Sequence, residues 1–151
     1  MIEIRVGNVL DIPTGIIVHG CNCFGSFGAG IALAIKNRYP VAYNVYRYVY
    51  ETDGLKLGEI CSAEVEPGKY IVNANTQRNT GAGRQISYDA IVKCFEEVND
   101  LAKIIKAEHG TLDIVFPMIG AGLGGGNWNI IEKIIDETVS DDFKKILYKL
   151  N

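Results

Sequence analysis

Apolar and polar residues alternate over 2–6, a period of two that predicts a strand with one wet face. Residues 15–19 (Gly-Ile-Ile-Val-His) form a short β-branched run, which predicts a strand covered on both faces. Over 28–39, Ile31, Ala34 and Ile35 fall at helical spacing. Pro40 ends that helix and opens the next, where Ala42, Val45, Tyr46 and Val49 share a face before Asp53-Gly54 turns the chain. Residues 59–65 and 69–74 read as two strands joined at Pro67-Gly68. The longest stripe runs over 87–107, with Tyr88, Ile91, Val92, Phe95, Val98, Leu101, Ala102 and Ile105 at a 3.6-residue period. Ser87 caps its start, Asp89 suits its first turn and Gly110 lies past its end. A buried strand at 112–117, a helix through Ile130, Ile131, Ile134, Ile135 and Val139, and a strand at 145–150 complete the pattern. Strands alternating with helices predict an α/β domain, with a mostly parallel or mixed sheet between helical layers. No linker or repeat divides the chain, so residues 1–151 are expected to be one domain.

Composition narrows the function classes. The 151 residues, 48% hydrophobic and 22% charged, suit one globular domain. The net charge of -3 argues against a broad basic face for nucleic acid, so a nucleic-acid partner is not expected. Binding one small anion remains open, because backbone amides do that without formal charge. No apolar run approaches the ~20 residues that span a bilayer, and residues 1–5 read as strand rather than as a secretory leader. Neither a membrane partner nor secretion is expected. Four cysteines are too sparse for a disulfide scaffold, so the cytoplasm is the expected compartment. Seventeen glycines against four prolines are the oddity, and the glycines cluster.

The first cluster, 20–30, reads Gly-Cys-Asn-Cys-Phe-Gly-Ser-Phe-Gly-Ala-Gly; the second, 119–126, reads Ile-Gly-Ala-Gly-Leu-Gly-Gly-Gly. Each leaves a buried strand and enters a helix. Free N–H groups and the positive dipole end of a helix suit a phosphate, and glycine allows close approach to the backbone. Two such loops at one sheet edge could hold a diphosphate, with Gly28, Ala29, Gly30 and Ile31 on one side and Ile119, Gly120, Ala121, Gly122, Leu123 and Gly124 on the other. The alternative is a pair of tight strand–helix turns. No Gly-Lys-Ser/Thr ends either loop, which argues against a P-loop. The second loop has no further βαβ unit or acidic residue placed for a ribose, so a hydride-transfer enzyme fits poorly.

Beside the first loop, His19 could orient or deprotonate water, or protonate a leaving sugar oxygen. It could equally be a structural histidine. Asn22 carries a donor and an acceptor suited to ribose hydroxyls, or to an Asx-turn that stabilises the loop. Asn73, Asn75 and Gln77 could line a ribose pocket or only stabilise a strand end. Arg84, in the rim at 80–84, could meet a terminal phosphate or stay solvated. His19, Cys21 and Cys23 share a strand face, but zinc wants four ligands and Cys61 and Cys94 read as core, so no metal is expected. Tyr43, Tyr46, Tyr48 and Tyr50 read as packing and surface aromatics, and Trp128 as core.

Residues 15–22, followed by Gly28-Ala29-Gly30-Ile31-Ala32, together with Phe116 to Gly125, resemble the two ADP-ribose loops of the macrodomain family. Val6-Gly7-Asn8-Val9-Leu10 occupies the place of that family's adenine-contacting segment, which adds Asn8 and Val9 to the expected site. Residues 19–32 and Arg38-Tyr39-Pro40 are most similar to the yeast-type ADP-ribose 1''-phosphate phosphatases and to small phage and bacterial macrodomains. The resemblance implies a three-layer α/β/α fold with a central mixed sheet, no cofactor, and ADP-ribose or its 1''-phosphate as ligand. It also implies hydrolysis of the terminal phosphate with catalytic His19 and Asn22; a non-catalytic reader, or an ADP-ribosyl hydrolase acting on modified protein or another macromolecule, is the alternative. Asn8 stands where the family usually has aspartate. Gly124 stands where deacylases of the terminal-glutamate type have aspartate, and 70–77 contains no lysine, which argues against that chemistry.

Overall fold

The computed structural model describes residues 1–79, 86–121 and 125–150. Six strands form one sheet: β1 (Ile2–Val6), β2 (Gly15–Cys21), β3 (Ile60–Glu66), β4 (Lys69–Asn75), β5 (Asp113–Phe116) and β6 (Lys144–Lys149). Their spatial order is β1-β6-β5-β2-β4-β3. Every neighbouring pair is parallel except β3 with β4, the hairpin turning at Pro67-Gly68. The sheet is therefore mixed, as expected.

Helices α1 (Gly30–Arg38) and α2 (Pro40–Thr52) cover one face, and α3 (Tyr88–His109) and α4 (Trp128–Thr138) the other. The pleat of β2 explains its continuous apolar run. Ile16 and Val18 join Phe95, Val98 and Ile131 on the α3/α4 side, while Ile17 and Cys21 join Ile35, Ala42 and Tyr46 on the α1/α2 side. The stripe along α3 supplies seven fully or nearly buried residues, from Ala90 to Ile105. At ~25 cal/mol per Å2 of apolar surface, burial on both faces does most to hold the three layers together.

The structure adds a short 3-10 turn, Val9–Asp11, that periodicity does not reveal; Asn8 caps it by accepting from the Leu10 N–H at 2.9 Å. Beneath it lies a buried cation. The Lys69 ammonium donates to the Leu10 carbonyl and the Tyr39 hydroxyl, each at 2.6 Å, and reaches the Glu66 carboxylate at 3.2 Å. One lysine thus ties the turn, the end of α1 and the hairpin. Its donors are satisfied, so its burial is tolerated.

Candidate functional site

Because β2 and β5 are adjacent and parallel, paired at Ile16↔Ile114 and Ile17↔Val115, the loops that follow them leave the same edge of the sheet. β4 flanks β2 on its other side in the same direction, so Asn75, Thr76 and Gln77 end there too. Carboxyl ends of parallel strands are where open α/β sheets bind ligands. Topology alone starts both glycine loops from one edge of the sheet.

The first loop is held from within. Asn22 donates Nδ2–H to the Ser26 carbonyl at 2.8 Å, and its Oδ1 accepts from the Phe24 N–H at 2.8 Å. The Tyr46 hydroxyl lies 2.5 Å from the Asn22 carbonyl. Asn22 therefore makes the Asx-turn, and keeps only one amide N–H for anything else. Gly25 has φ +77, and a Cβ there would lie 2.7 Å from Arg47 Nη1 and 2.8 Å from the Tyr50 ring, so only glycine fits. Phe27 turns under the loop, edge-on to His19 at 5.2 Å and tilted over Tyr46 at 4.5 Å. Two of the α2 tyrosines, Tyr43 and Tyr46, thus form the seat of the loop, and Tyr48 is exposed.

The loop delivers an open helix end. Gly28, Ala29 and Gly30 are exposed, Ile31 is half-buried, and Ala29 at the N-cap position of α1 has no side chain that can cap it. By contrast Ser87 caps α3, accepting from the Ala90 N–H, and Asn127 caps α4, accepting from the Asn129 N–H. Only α1 of these three presents its first N–H groups uncapped. Ile119 is buried while Gly120 and Ala121 are partly open. The Gly126 N–H donates to the Gly120 carbonyl at 2.7 Å and closes the neck of the second loop. A Cβ on Gly126 would overlap Ile86 and sit 2.8 Å from the Gly120 oxygen, so the neck admits no side chain. Gly122, Leu123, Gly124 and Arg84 lie outside the described residues. Asn8 is exposed beside buried Val9, at the end of β1.

His19 occupies a different environment from the one its sequence position suggests. It has no exposure and faces the α1/α2 layer, with Nε2–H donating to the Asn73 Oδ1 at 2.6 Å. Asn73 Nδ2 in turn donates to the Ala42 carbonyl at 3.0 Å, which fixes the amide orientation and hence the histidine tautomer. Burial lowers the His19 pKa to about 4, opposed by the Asn73 hydrogen bond, so the ring is neutral at pH 7. A ring so enclosed has no contact with solvent in this structure. The deciding partner, Asn73, lies 54 positions away, which is why the sequence leaves both roles open.

One polar group stands out that sequence reasoning did not single out. The Thr76 hydroxyl is fully buried with no hydrogen-bond partner among the described residues, and a Cβ on Gly20 would lie 2.8 Å from it. An unpaired buried hydroxyl costs about 1–3 kcal/mol. Thr76→Val is therefore expected to raise the unfolding free energy by about 1 kcal/mol, read from the midpoint of urea denaturation. A lower midpoint would show that the hydroxyl has a partner in solution. The Asn75 amide oxygen is likewise buried and unpaired among the described residues, while its Nδ2 donates to the Lys56 carbonyl at 3.1 Å.

Comparisons with known proteins agree with this architecture. The Macro domain family model matches residues 18–135. A 17.5 kDa uncharacterized protein of the tk-vs intergenic region of Enterobacteria phage T4 is 36% identical over 126 residues, covering 80% of this chain and 77% of its own. A DNA ADP-ribosyl glycohydrolase of Mycobacterium tuberculosis is 28% identical over 88% of this chain, but the match spans 37% of that protein's length. An ADP-ribose 1''-phosphate phosphatase of Aspergillus oryzae is 54% identical over 41 residues, 26% of this chain and 20% of that one. Among solved structures, a Bacteroides thetaiotaomicron protein of unknown function superposes with TM-score 0.88 at 27% identity, covering 100% of this chain and 98% of that one. A macrodomain protein of Streptomyces coelicolor gives 0.81 at 25%, covering 99% of each chain. Family model, phage relative and superposed structures coincide with the three-layer architecture: the chain belongs to the Macro domain family.

Proposed function

We propose that the chain binds ADP-ribose at this sheet edge and hydrolyses the terminal phosphate of ADP-ribose 1''-phosphate. The observation that carries the reading is the uncapped, exposed N-terminus of α1 at Gly28-Ala29-Gly30, leaving the same sheet edge as the loop after β5. Main-chain N–H groups there, with those of residues 119–124, take the diphosphate and spread its charge. The adenine lies toward Asn8 and Val9, whose turn stands at the end of β1. The distal ribose lies toward Asn22, whose remaining amide N–H is directed to a sugar hydroxyl. His19 acts as a positioning residue: neutral, bonded to Asn73 and edge-on to Phe27, it sets the height of the loop that carries Asn22 and the α1 amides. Water then attacks the terminal phosphorus and the phosphate leaves the 1'' oxygen, which takes up a proton.

A second reading rests on coverage. The glycohydrolase relative matches 88% of the chain, the phosphatase 26%. That favours cleavage at the same 1'' position with a modified macromolecule as the leaving group. The experiment that separates the readings offers ADP-ribose, its 1''-phosphate, ADP-ribosylated protein and ADP-ribosylated DNA in parallel, and follows binding by calorimetry and product by chromatography. Phosphate release above the uncatalysed rate is expected. Consumption of a modified macromolecule without phosphate release would replace the first reading by the second, and micromolar ADP-ribose binding with no turnover of any substrate would make the chain a reader.

A further inference from the structure

The two edges of the sheet are not alike. At one edge, β3 carries Glu64 and Glu66 and its register with β4 shifts between them, an irregularity of the kind that protects an edge from further pairing. At the other edge, β1 runs in unbroken register along β6, from Ile2↔Lys145 to Val6↔Lys149, with no proline and no bulge. The Gly7 N–H donates to the Lys149 carbonyl at 2.8 Å, so odd-numbered residues turn their main-chain groups toward β6. Ile2, Ile4 and Val6 consequently turn theirs to the open side. Their side chains share one face of the strand, on which Ile2 packs against the core while Ile4 and Val6 are 56% and 63% exposed. Glu3 and Arg5 share the opposite face, where they pair with each other and Arg5 also meets Tyr148.

We infer that β1 pairs antiparallel with β1 of a second copy of this chain, about a two-fold axis through Ile4, joining two six-stranded sheets into one. The register is dictated by the residues. An axis at Ile4 sets Ile4 against Ile4 and Ile2 against Val6, and these are the residues whose N–H and C=O groups point outward, so the pairs are hydrogen-bonded. Glu3 then faces Arg5 of the second copy, twice, in the non-hydrogen-bonded positions where side chains approach most closely. An axis at Glu3 or at Arg5 would instead oppose like charges. The interface is isologous and closes at two copies. The exposed apolar residues of the strand are covered, and the Glu3–Arg5 pair that each chain makes with itself is exchanged for two between chains.

Sedimentation velocity from about 10 µM to 1 mM tests this, since a small edge interface is expected to be weak. The wild type is expected to show a monomer–dimer equilibrium within that range. Glu3→Arg and Arg5→Glu are each expected to weaken it about tenfold or more, by setting like charges across the axis. The double exchange Glu3→Arg with Arg5→Glu restores complementarity and is expected to return the dissociation constant to about threefold of the wild-type value. Glu3 is exposed and Arg5 partly so, and far-ultraviolet circular dichroism with thermal melting checks that each variant is folded. A wild type that stays monomeric at the highest concentration overturns the inference. So does a dimer that the single exchanges leave unchanged or the double exchange fails to rescue.

Discussion

Gly28→Glu is expected to weaken ADP-ribose binding by about a hundredfold or more, while the melting temperature changes by less than about 2 °C. Gly28 is exposed, its φ is not in the left-handed region, and the nearest atom to an added Cβ is the Ser26 hydroxyl at 3.3 Å. A side chain therefore fits, and folding has little reason to object. Its carboxylate, however, sits beside the bare N–H groups of α1, where it would act as an internal ligand and repel a diphosphate. Gly28→Lys is the matched control, with similar bulk and opposite charge, and is expected to retain binding within about tenfold. Calorimetric titration of both variants decides the matter. Equal losses would mean that bulk, not charge, governs the position, and the diphosphate would have to be placed elsewhere.

The second large effect is on stability against acid. His19 has a folded pKa of about 4 against 6.5 in the open chain, because burial penalises its cation. The unfolded state therefore binds the extra proton between those values, and unfolding free energy falls as pH drops from 6.5 to 4. The difference of about 2.5 units corresponds to about 3 kcal/mol, fully present above pH 6.5 and lost by pH 4. Glu66, Asp136 and Asp141, whose carboxyl pKa values are lowered, chiefly by hydrogen bonds from Tyr39, from the N-terminal amine and from Lys145 respectively, begin at 4.5 or below and act at the acid end of this range. Urea denaturation at pH 7, 5.5 and 4.5 measures the effect. A flat profile over the upper half of that interval would mean that His19 is solvated or already charged.

The fold was largely legible because its periodicities are clean. The double-faced run at 15–19 could only be an interior strand, and the stripe from Tyr88 to Ile105 only a helix lying on a core. Errors fall at ends, where partners rather than local pattern decide. β2 continues two residues beyond His19 because Gly20 and Cys21 pair with Ala74 and Asn75 of β4, and α1 begins two residues late because Ala29 is extended. The site divides in the same way. Glycine marks both loops in the sequence, and at Gly25, Gly120 and Gly126 a close approach or a positive φ excludes other residues. The allocation of Asn22 to its own loop and the enclosure of His19 depend on Tyr46, Phe27 and Asn73, which no spacing connects. Thr76 gave no signal at all, for an isolated threonine after a strand is ordinary until its neighbours are known.

Lys69 has a practical bearing. With its ammonium shut in by the Leu10 carbonyl, the Tyr39 hydroxyl and Glu66, it is out of reach of acylating reagents while the chain is closed. Modification at that amine consequently clocks the opening of the Val9–Asp11 turn away from the hairpin, and makes one native side chain an internal reporter of local unfolding.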